Sequence, residues 1–88
     1  MKDFEFGYVV ATVGVLDAVS REDIIAALQR HLAGDWGEVC DSDAAMNDEA
    51  VETYGRILSV YTSSSGTKFW IITEADRSCT TILLPKEY

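Results

Sequence analysis

The chain has 88 residues, in which 15 Asp and Glu outnumber 7 Lys and Arg, so its formal net charge is −8. This length allows one domain, and a hydrophobic fraction of 48% with a single Pro is typical of a folded chain rather than a disordered one. The excess of acid disfavours direct binding to a nucleic-acid backbone or to an anionic membrane surface. The charge favours instead a basic protein, or a protein site that normally accepts phosphates.

The first half of the chain begins with a predicted strand and helix. Residues 4–13 are rich in aromatic and β-branched side chains, which is typical of a strand, and Gly14 supplies the break after it. Ser20 is a suitable N-cap for a helix that continues to about residue 33, where Gly34 ends it. We expect Trp36 to fold back over the end of this helix.

A second and weaker helix is predicted from Asp41 to Tyr54. Its candidate N-caps are Asp41, Ser42 and Asp43. Helical spacing puts Met46, Ala50 and Tyr54 on one side and four acids on most of the opposite side, namely Asp41, Asp48, Glu49 and Glu52. Asp48 and Glu52 stand four residues apart and repel each other, so intrinsic propensity alone barely holds this helix.

Three strands complete the chain, at residues 56–61, 68–73 and 79–84, with Pro85 ending the last. The first two flank the turn of residues 63–66 and predict a β-hairpin. The order strand–helix–helix–strand–strand–strand predicts a single α+β domain over residues 1–88. We expect a four-stranded, mainly antiparallel sheet with both helices packed on one face.

Alternation along the last three strands predicts apolar side chains on both faces of the sheet. In the middle strand, Phe69 and Ile71 point to one face while Trp70 and Ile72 point to the other. The helices cover one face, which leaves apolar side chains exposed on the second face. Such exposed apolar groups indicate an association surface, commonly that of a homodimer. In the alternative interpretation, the terminal segments and Trp36 cover the two faces of the sheet.

The negative charge is concentrated in one segment. Residues 35–55 hold −7 of the net charge of −8, with no Lys or Arg among them. The seven acids are Asp35, Glu38, Asp41, Asp43, Asp48, Glu49 and Glu52. Clustered carboxylates on a compact fold can imitate the phosphates of a duplex and bind the Lys and Arg side chains of a DNA-binding surface. In the alternative interpretation they form a solvated helix face that keeps the protein soluble.

Other chemistries fit the sequence less well. The acids of this segment are oxygen donors suited to Ca²⁺ or Mg²⁺, but their spacing does not match an EF-hand loop and the central Gly is missing, so we expect no metal. His31, the single histidine, can act as a general base with Asp35, but no partnered nucleophile motif accompanies it. A favourable place at the helix C-terminus and a pairing with Asp35 explain His31 more simply. We therefore predict a non-enzyme without a cofactor.

Three further features bear on structure and location. Arg77 in the turn of residues 74–78 is expected to pair with Glu74 or Asp76 at the surface, although such a turn can also serve as a recognition loop. Cys40 and Cys79 have no metal or redox spacing and are expected to be reduced. No targeting signal and no run of roughly 18 apolar residues is visible, so we expect a cytoplasmic protein.

Two stretches together resemble a family of small bacterial proteins found on plasmids, phages and other mobile elements. They are GDWGE at residues 34–38 and WIITEADRSCTTILLPKEY at residues 70–88. The resemblance covers nearly the whole chain. Members are often described as plasmid-related, or as a subunit of type I restriction–modification. A methyltransferase is excluded here, because 88 residues leave no room for a cofactor domain and no Gly-rich nucleotide loop is present.

The resemblance implies a protein that defends a mobile element against the immunity of its host. Small acidic proteins of that setting include anti-CRISPR and antirestriction proteins, several of which look like DNA to their targets. The sequence therefore predicts an inhibitor whose seven acids meet the basic DNA-binding surface of a CRISPR effector or a restriction enzyme. The alternative is a small accessory protein in which the open sheet face forms a dimer and the acids only maintain solubility.

Overall fold

A computed structural model of the protein describes residues 4–88 and contains four strands, three α-helices and a C-terminal 3₁₀ turn in that range. In chain order these elements are β1 (Tyr8–Ala11), α1 (Val13–Ala18), α2 (Arg21–Leu32), α3 (Asp41–Thr53), β2 (Ile57–Thr62), β3 (Lys68–Thr73), β4 (Cys79–Leu83) and the turn Pro85–Glu87. The two longer helices and the last three strands lie within a few residues of their predicted positions.

The four strands form one sheet in the order β1-β4-β3-β2. The pairs β2–β3 and β3–β4 are antiparallel, whereas β1 runs parallel to β4. The predicted α+β class and the mainly antiparallel four-stranded sheet are thus confirmed. This order puts β1 at one edge of the sheet and β2 at the opposite edge.

The prediction of a strand over residues 4–13 is wrong at both ends, and a short helix, α1, was missed. Thr12 ends the strand by capping this helix, since its Oγ1 accepts a hydrogen bond from the Val15 amide at 3.1 Å. Val15 is fully buried in the core, which explains why packing overrides the strand preference of a β-branched residue. Gly14 lies inside α1, where a Cβ atom would come within 2.3 Å of the Glu87 carboxylate.

The main core lies between one face of the sheet and the helices α1 and α2. Tyr61, Phe69, Ile71 and Ile82 supply the sheet side of this core. The helix side comes from Val15, Val19, Ile24 and Ala27. A second, smaller cluster lies at the β2 edge, where α3 packs Ala50 against Ile57 and Trp36. The predicted division of the strands into two faces is confirmed by this burial and by the strand register.

The second face of the sheet is covered in part by the C-terminal residue. The Tyr88 ring lies edge-on to Trp70 with 5.5 Å between centroids, and the Arg56 guanidinium lies 4.9 Å from the centre of the Tyr88 ring. Ile72 on this face is buried, while Trp70 remains half-buried. Trp36 is buried on the other face, against Ile57 and α3, so Tyr88 and Trp36 each cover part of one face, in line with the alternative interpretation.

Candidate functional site

The acidic helix α3 begins without a side-chain cap. Its N-cap is Cys40, which makes no capping hydrogen bond, so the prediction of Asp41, Ser42 or Asp43 as the cap is wrong. Asp41 and Asp43 lie instead in the first turn of the helix. There their negative charges face the positive end of the helix dipole, an arrangement that stabilises the helix without a cap.

The buried side of α3 is small and carries an asparagine. Asn47 is buried and binds the backbone of Leu58 twice: its Nδ2 donates to the carbonyl at 2.8 Å and its Oδ1 accepts from the amide at 3.2 Å. Of the three residues predicted to share one side of the helix, Ala50 is buried, whereas Met46 and Tyr54 are exposed. Asn47 therefore takes the place of a neighbouring strand at this point of the β2 edge, and it attaches α3 firmly to the sheet.

Arg77 holds the C-terminal end of α3. Its Nη2 donates to the Ala50 carbonyl at 2.7 Å, and its Nη1 donates to the Gly55 carbonyl at 2.7 Å and to the Glu74 carbonyl at 3.0 Å. Arg77 is buried, so the predicted surface pairing with a carboxylate of its own turn is wrong. The Glu74 carboxylate lies 3.6 Å from Arg56 instead. The guanidinium supplies the positive charge that the last turn of α3 lacks.

Trp36 connects α3 to the segment that follows α2. The indole Nε1 donates to Asp48 Oδ1 at 3.0 Å, and the buried ring lies edge-on to His31 in the last turn of α2. The prediction that Trp36 covers the helix end is confirmed. The next residue, Gly37, adopts φ +73° and pairs with Val60, and a Cβ atom there would lie 2.1 Å from the Val60 carbonyl oxygen.

Two of the seven predicted acids are paired with cations of the protein. Arg30 donates from Nε to Asp35 at 2.8 Å, and this hydrogen bond holds the pKa of the Asp35 carboxyl below its ordinary value. Glu38 lies 3.9 Å from the Lys68 ammonium. Together with Asp48, which accepts from the Trp36 indole, these acids serve the fold itself.

The other four predicted acids, Asp41, Asp43, Glu49 and Glu52, are exposed on α3. Within residues 4–88 none of them forms an ion pair. The nearest cations in the sequence lie outside the helix, since residues 35–55 contain no Lys or Arg. We call these four residues together the α3 acidic face: Asp41, Glu49 and Glu52 share one side of the helix, whereas Asp43 in the first turn lies on the side that borders the cleft. Four of the seven predicted acids are therefore exposed without an ion pair among the described residues.

An open cleft of about 540 Å³ runs beside the α3 acidic face, between the helix and the β2 edge. Asp43 and Glu49 line it, and Met46 and Leu58 supply apolar surface. This combination suits a long cationic side chain, whose methylene stem packs on apolar groups while its charged head meets a carboxylate. Arg56 at the cleft wall is engaged by Glu74 and by the Tyr88 hydroxyl.

His31 is fully buried and belongs to the core, so its predicted pairing with Asp35 is wrong. Its Nδ1 lies 2.6 Å from Ser59 Oγ and its Nε2 lies 2.9 Å from Thr73 Oγ1. Thr73 continues the network to Thr80, which donates to the Phe6 carbonyl. Burial lowers the pKa of His31 to about 4. The neutral ring thus joins α2 to the sheet, and no substrate reaches it.

The remaining chemistry-bearing side chains form no further site in the described chain. Cys40 is exposed and Cys79 half-buried, and neither forms a disulfide. Among residues 4–88, no three His, Cys, Asp or Glu side chains are grouped so as to hold a metal ion. Over the same range, the helices are too short or too polar to span a bilayer.

Sequence reasoning missed Asn47 and Arg77, the two residues that attach α3 to the sheet. A signal for Asn47 was available, because it lies at helical spacing from Ala50 on the least charged side of the predicted helix. Arg77 gave no such signal, since two of the three carbonyls it binds belong to residues 22 and 27 positions away. Comparison of the chain with protein-family models, with curated proteins and with solved structures gives no match.

Proposed function

We propose that the protein is a non-enzymatic inhibitor of a bacterial defence complex, an anti-CRISPR or antirestriction protein. It binds a basic DNA-binding surface of that complex through the α3 acidic face and thereby blocks target DNA. The observation that carries the proposal is the set of four exposed carboxylates of this face, which have no ion-pair partner within residues 4–88. The site of action is the cytoplasm of the bacterial host.

Rigid presentation supports this role. The like charges of α3 oppose helix formation, yet buried contacts fix the helix at its middle and at its C-terminal end, through Asn47 and Arg77. A fixed array of carboxylates binds cations at a lower entropic cost than a flexible acidic segment. Tertiary contacts therefore keep this acidic helix formed, although its own like charges oppose it.

The cleft supports binding to a protein rather than to small ions. Its apolar floor at Met46 and Leu58 buries the stem of an arginine or lysine, and Asp43 and Glu49 lie where the charged head arrives. Basic residues that line a DNA channel have this chemistry. The acidic charge beside the cleft also increases the rate of association with a basic surface, and added salt weakens that effect.

The test uses purified CRISPR effector complexes and type I restriction enzymes, each assayed for binding of its target DNA with and without the protein. We expect the protein to abolish DNA binding by at least one of these complexes, and the inhibition to weaken as salt increases. The double variant Glu49→Lys/Glu52→Lys is expected to lose about tenfold or more in inhibition, because two charge pairs become repulsive.

A matched control reverses two acids elsewhere. Asp17 in α1 and Glu22 in α2 are exposed, and Asp17→Lys/Glu22→Lys changes the net charge by the same amount. The control variant is expected to inhibit like the parent protein, and circular dichroism should show both variants folded. Equal inhibition by the α3 variant and the parent, or no inhibition of any complex tested, would overturn the proposal.

A further inference from the structure

The edge strand β1 leaves its outer side without a partner strand. The sheet order puts β1 at the end of the sheet, hydrogen-bonded to β4 alone among residues 4–88. The amides of Tyr8 and Thr12 donate to the carbonyls of Ser78 and Ile82, on the β4 side. Because backbone groups alternate along a strand, the N–H and C=O groups of Val9 and Ala11 point outward.

The same strand is apolar and uncharged, unlike the rest of this acidic protein. Among residues 4–88, six of the ten exposed large hydrophobic side chains lie between residues 6 and 16: Phe6, Tyr8, Val9, Val10, Val13 and Leu16. Residues 6–16 contain no charged side chain. Natural edge strands are normally protected by charged residues, Pro or a covering element. An apolar edge without charge or Pro offers its free backbone N–H and C=O groups to an added strand.

We propose that β1 pairs with β1 of a second copy of this chain, in antiparallel orientation, to form a homodimer with a continuous eight-stranded sheet. A two-fold axis makes such a contact self-complementary, as in most homodimers. The proposal is independent of the inhibitory function proposed above, since the α3 acidic face lies at the opposite edge of the sheet, beside β2.

The charge distribution favours a second copy as the occupant. Two molecules that each carry −8 repel one another, and the segment 6–16 adds no charge of its own to a contact between them. A basic partner would gain no electrostatic attraction from an edge that carries no charge. Pairing at β1 also keeps the two acidic helices at the far ends of the joined sheet, where they remain exposed.

One register uses all the outward backbone groups of the strand. When Val10 faces the same residue of the second copy, Val9 of each copy pairs with Ala11 of the other. The two pairs exchange four backbone hydrogen bonds. The Val10 pair then lies on the two-fold axis without a backbone hydrogen bond between its members, which is the spacing at which side chains approach most closely. The Val10 side chain is half exposed in the single chain, so a polar replacement there does not disturb the core.

This register predicts a charge-swap experiment, with mass measured by light scattering and by sedimentation over a dilution series. The parent protein is expected at twice the monomer mass, in equilibrium with monomer at low concentration. Val10→Lys and Val10→Glu are each expected to be monomeric, because like charges meet on the axis. An equal mixture of the two variants is expected to recover the dimer, because each pair then joins Lys with Glu.

Met46 supplies the matched control, since it is a large exposed apolar residue on α3, away from the β1 edge. Met46→Lys and Met46→Glu are expected to dimerise like the parent protein. The recovery in the mixture separates loss of contact from loss of fold. A parent protein that is monomeric at every concentration, Val10 variants that still dimerise, or a mixture that stays monomeric would each overturn the proposal.

Discussion

The guanidinium of Arg77 donates from Nη2 to the carbonyl oxygen of Ala50 at 2.7 Å. This bond joins the turn before β4 to the last turn of α3, across 27 positions of sequence. The backbone of Arg77 has φ +61°, a left-handed conformation that side chains other than Gly adopt at a cost. The local strain is offset by three hydrogen bonds to carbonyl groups.

Arg77→Ala is expected to destabilise the protein by about 2–4 kcal/mol, because a buried side chain is truncated, the Gly55 carbonyl loses its Arg77 donor and the Ala50 carbonyl keeps only backbone donors. Urea unfolding measures this loss, and hydrogen exchange should show faster opening at the C-terminal end of α3. Arg56→Ala is the matched control, since Arg56 is an exposed arginine whose ion pair with Glu74 contributes little. A similar small effect of both substitutions would contradict the role of Arg77.

The buried His31 predicts a loss of stability in mild acid. Its pKa is about 4 in the folded protein and near 6.5 in the unfolded chain, so the unfolded state binds more protons between these values. Stability contributed by the neutral ring is complete above pH 6.5 and is lost as the pH falls toward 4. At about 1.4 kcal/mol per pKa unit, the loss approaches roughly 3 kcal/mol.

Urea unfolding between pH 7 and pH 4 measures this dependence, and NMR titration of the His31 ring gives its pKa directly. His31→Gln keeps an amide that can bind Ser59 and Thr73 but does not titrate in this window. The slope of stability against pH is expected to flatten in that variant. An unchanged slope would assign the acid sensitivity to other groups.

Asp48 and Glu52 lie one turn apart on α3 but are expected to respond differently to truncation. Asp48→Ala removes the acceptor of the Trp36 indole N–H and is expected to cost about 1–2 kcal/mol. Glu52→Ala removes an exposed acid near the negative end of the helix dipole and is expected to be neutral or slightly stabilising. Thermal unfolding distinguishes the two, and equal losses would show that the indole contact contributes nothing.

Gly37 is expected to tolerate a side chain much less well than Gly66. Both have positive φ, +73° and +93°, so alanine is strained at either position. At Gly37 the added Cβ also collides with the Val60 carbonyl, whereas no atom lies within 4 Å at Gly66. Gly66→Ala should therefore cost about 1 kcal/mol and Gly37→Ala clearly more, as measured by urea unfolding. Equal losses of stability in the two variants would mean that the backbone pairing of Gly37 with Val60 can shift at little cost.

Local rules in the sequence were enough to predict much of the fold. Ser20 begins α2 as predicted, with its Oγ accepting from the Asp23 amide at 3.2 Å, and the turn at residues 63–66 joins β2 to β3. These features depend on neighbours within a few residues. The prediction failed where contacts from far along the chain decide the structure: α1, which was not predicted, buries Val15 against the sheet.

The sequence by itself determined the α+β class, the succession of hairpin strands and the concentration of acid between residues 35 and 55, because spacing and composition carry these properties. Only the tertiary structure decided which acids pair with groups of the protein itself. Asp35 forms an ion pair with Arg30 and Glu38 lies close to Lys68, while Asp48 accepts a hydrogen bond from Trp36. The tertiary structure also buried His31 and Arg77, and it left the apolar β1 at an open edge. Each of these outcomes depends on which residues the fold brings within a few ångströms of each other. Local sequence patterns do not specify such contacts between distant positions of the chain.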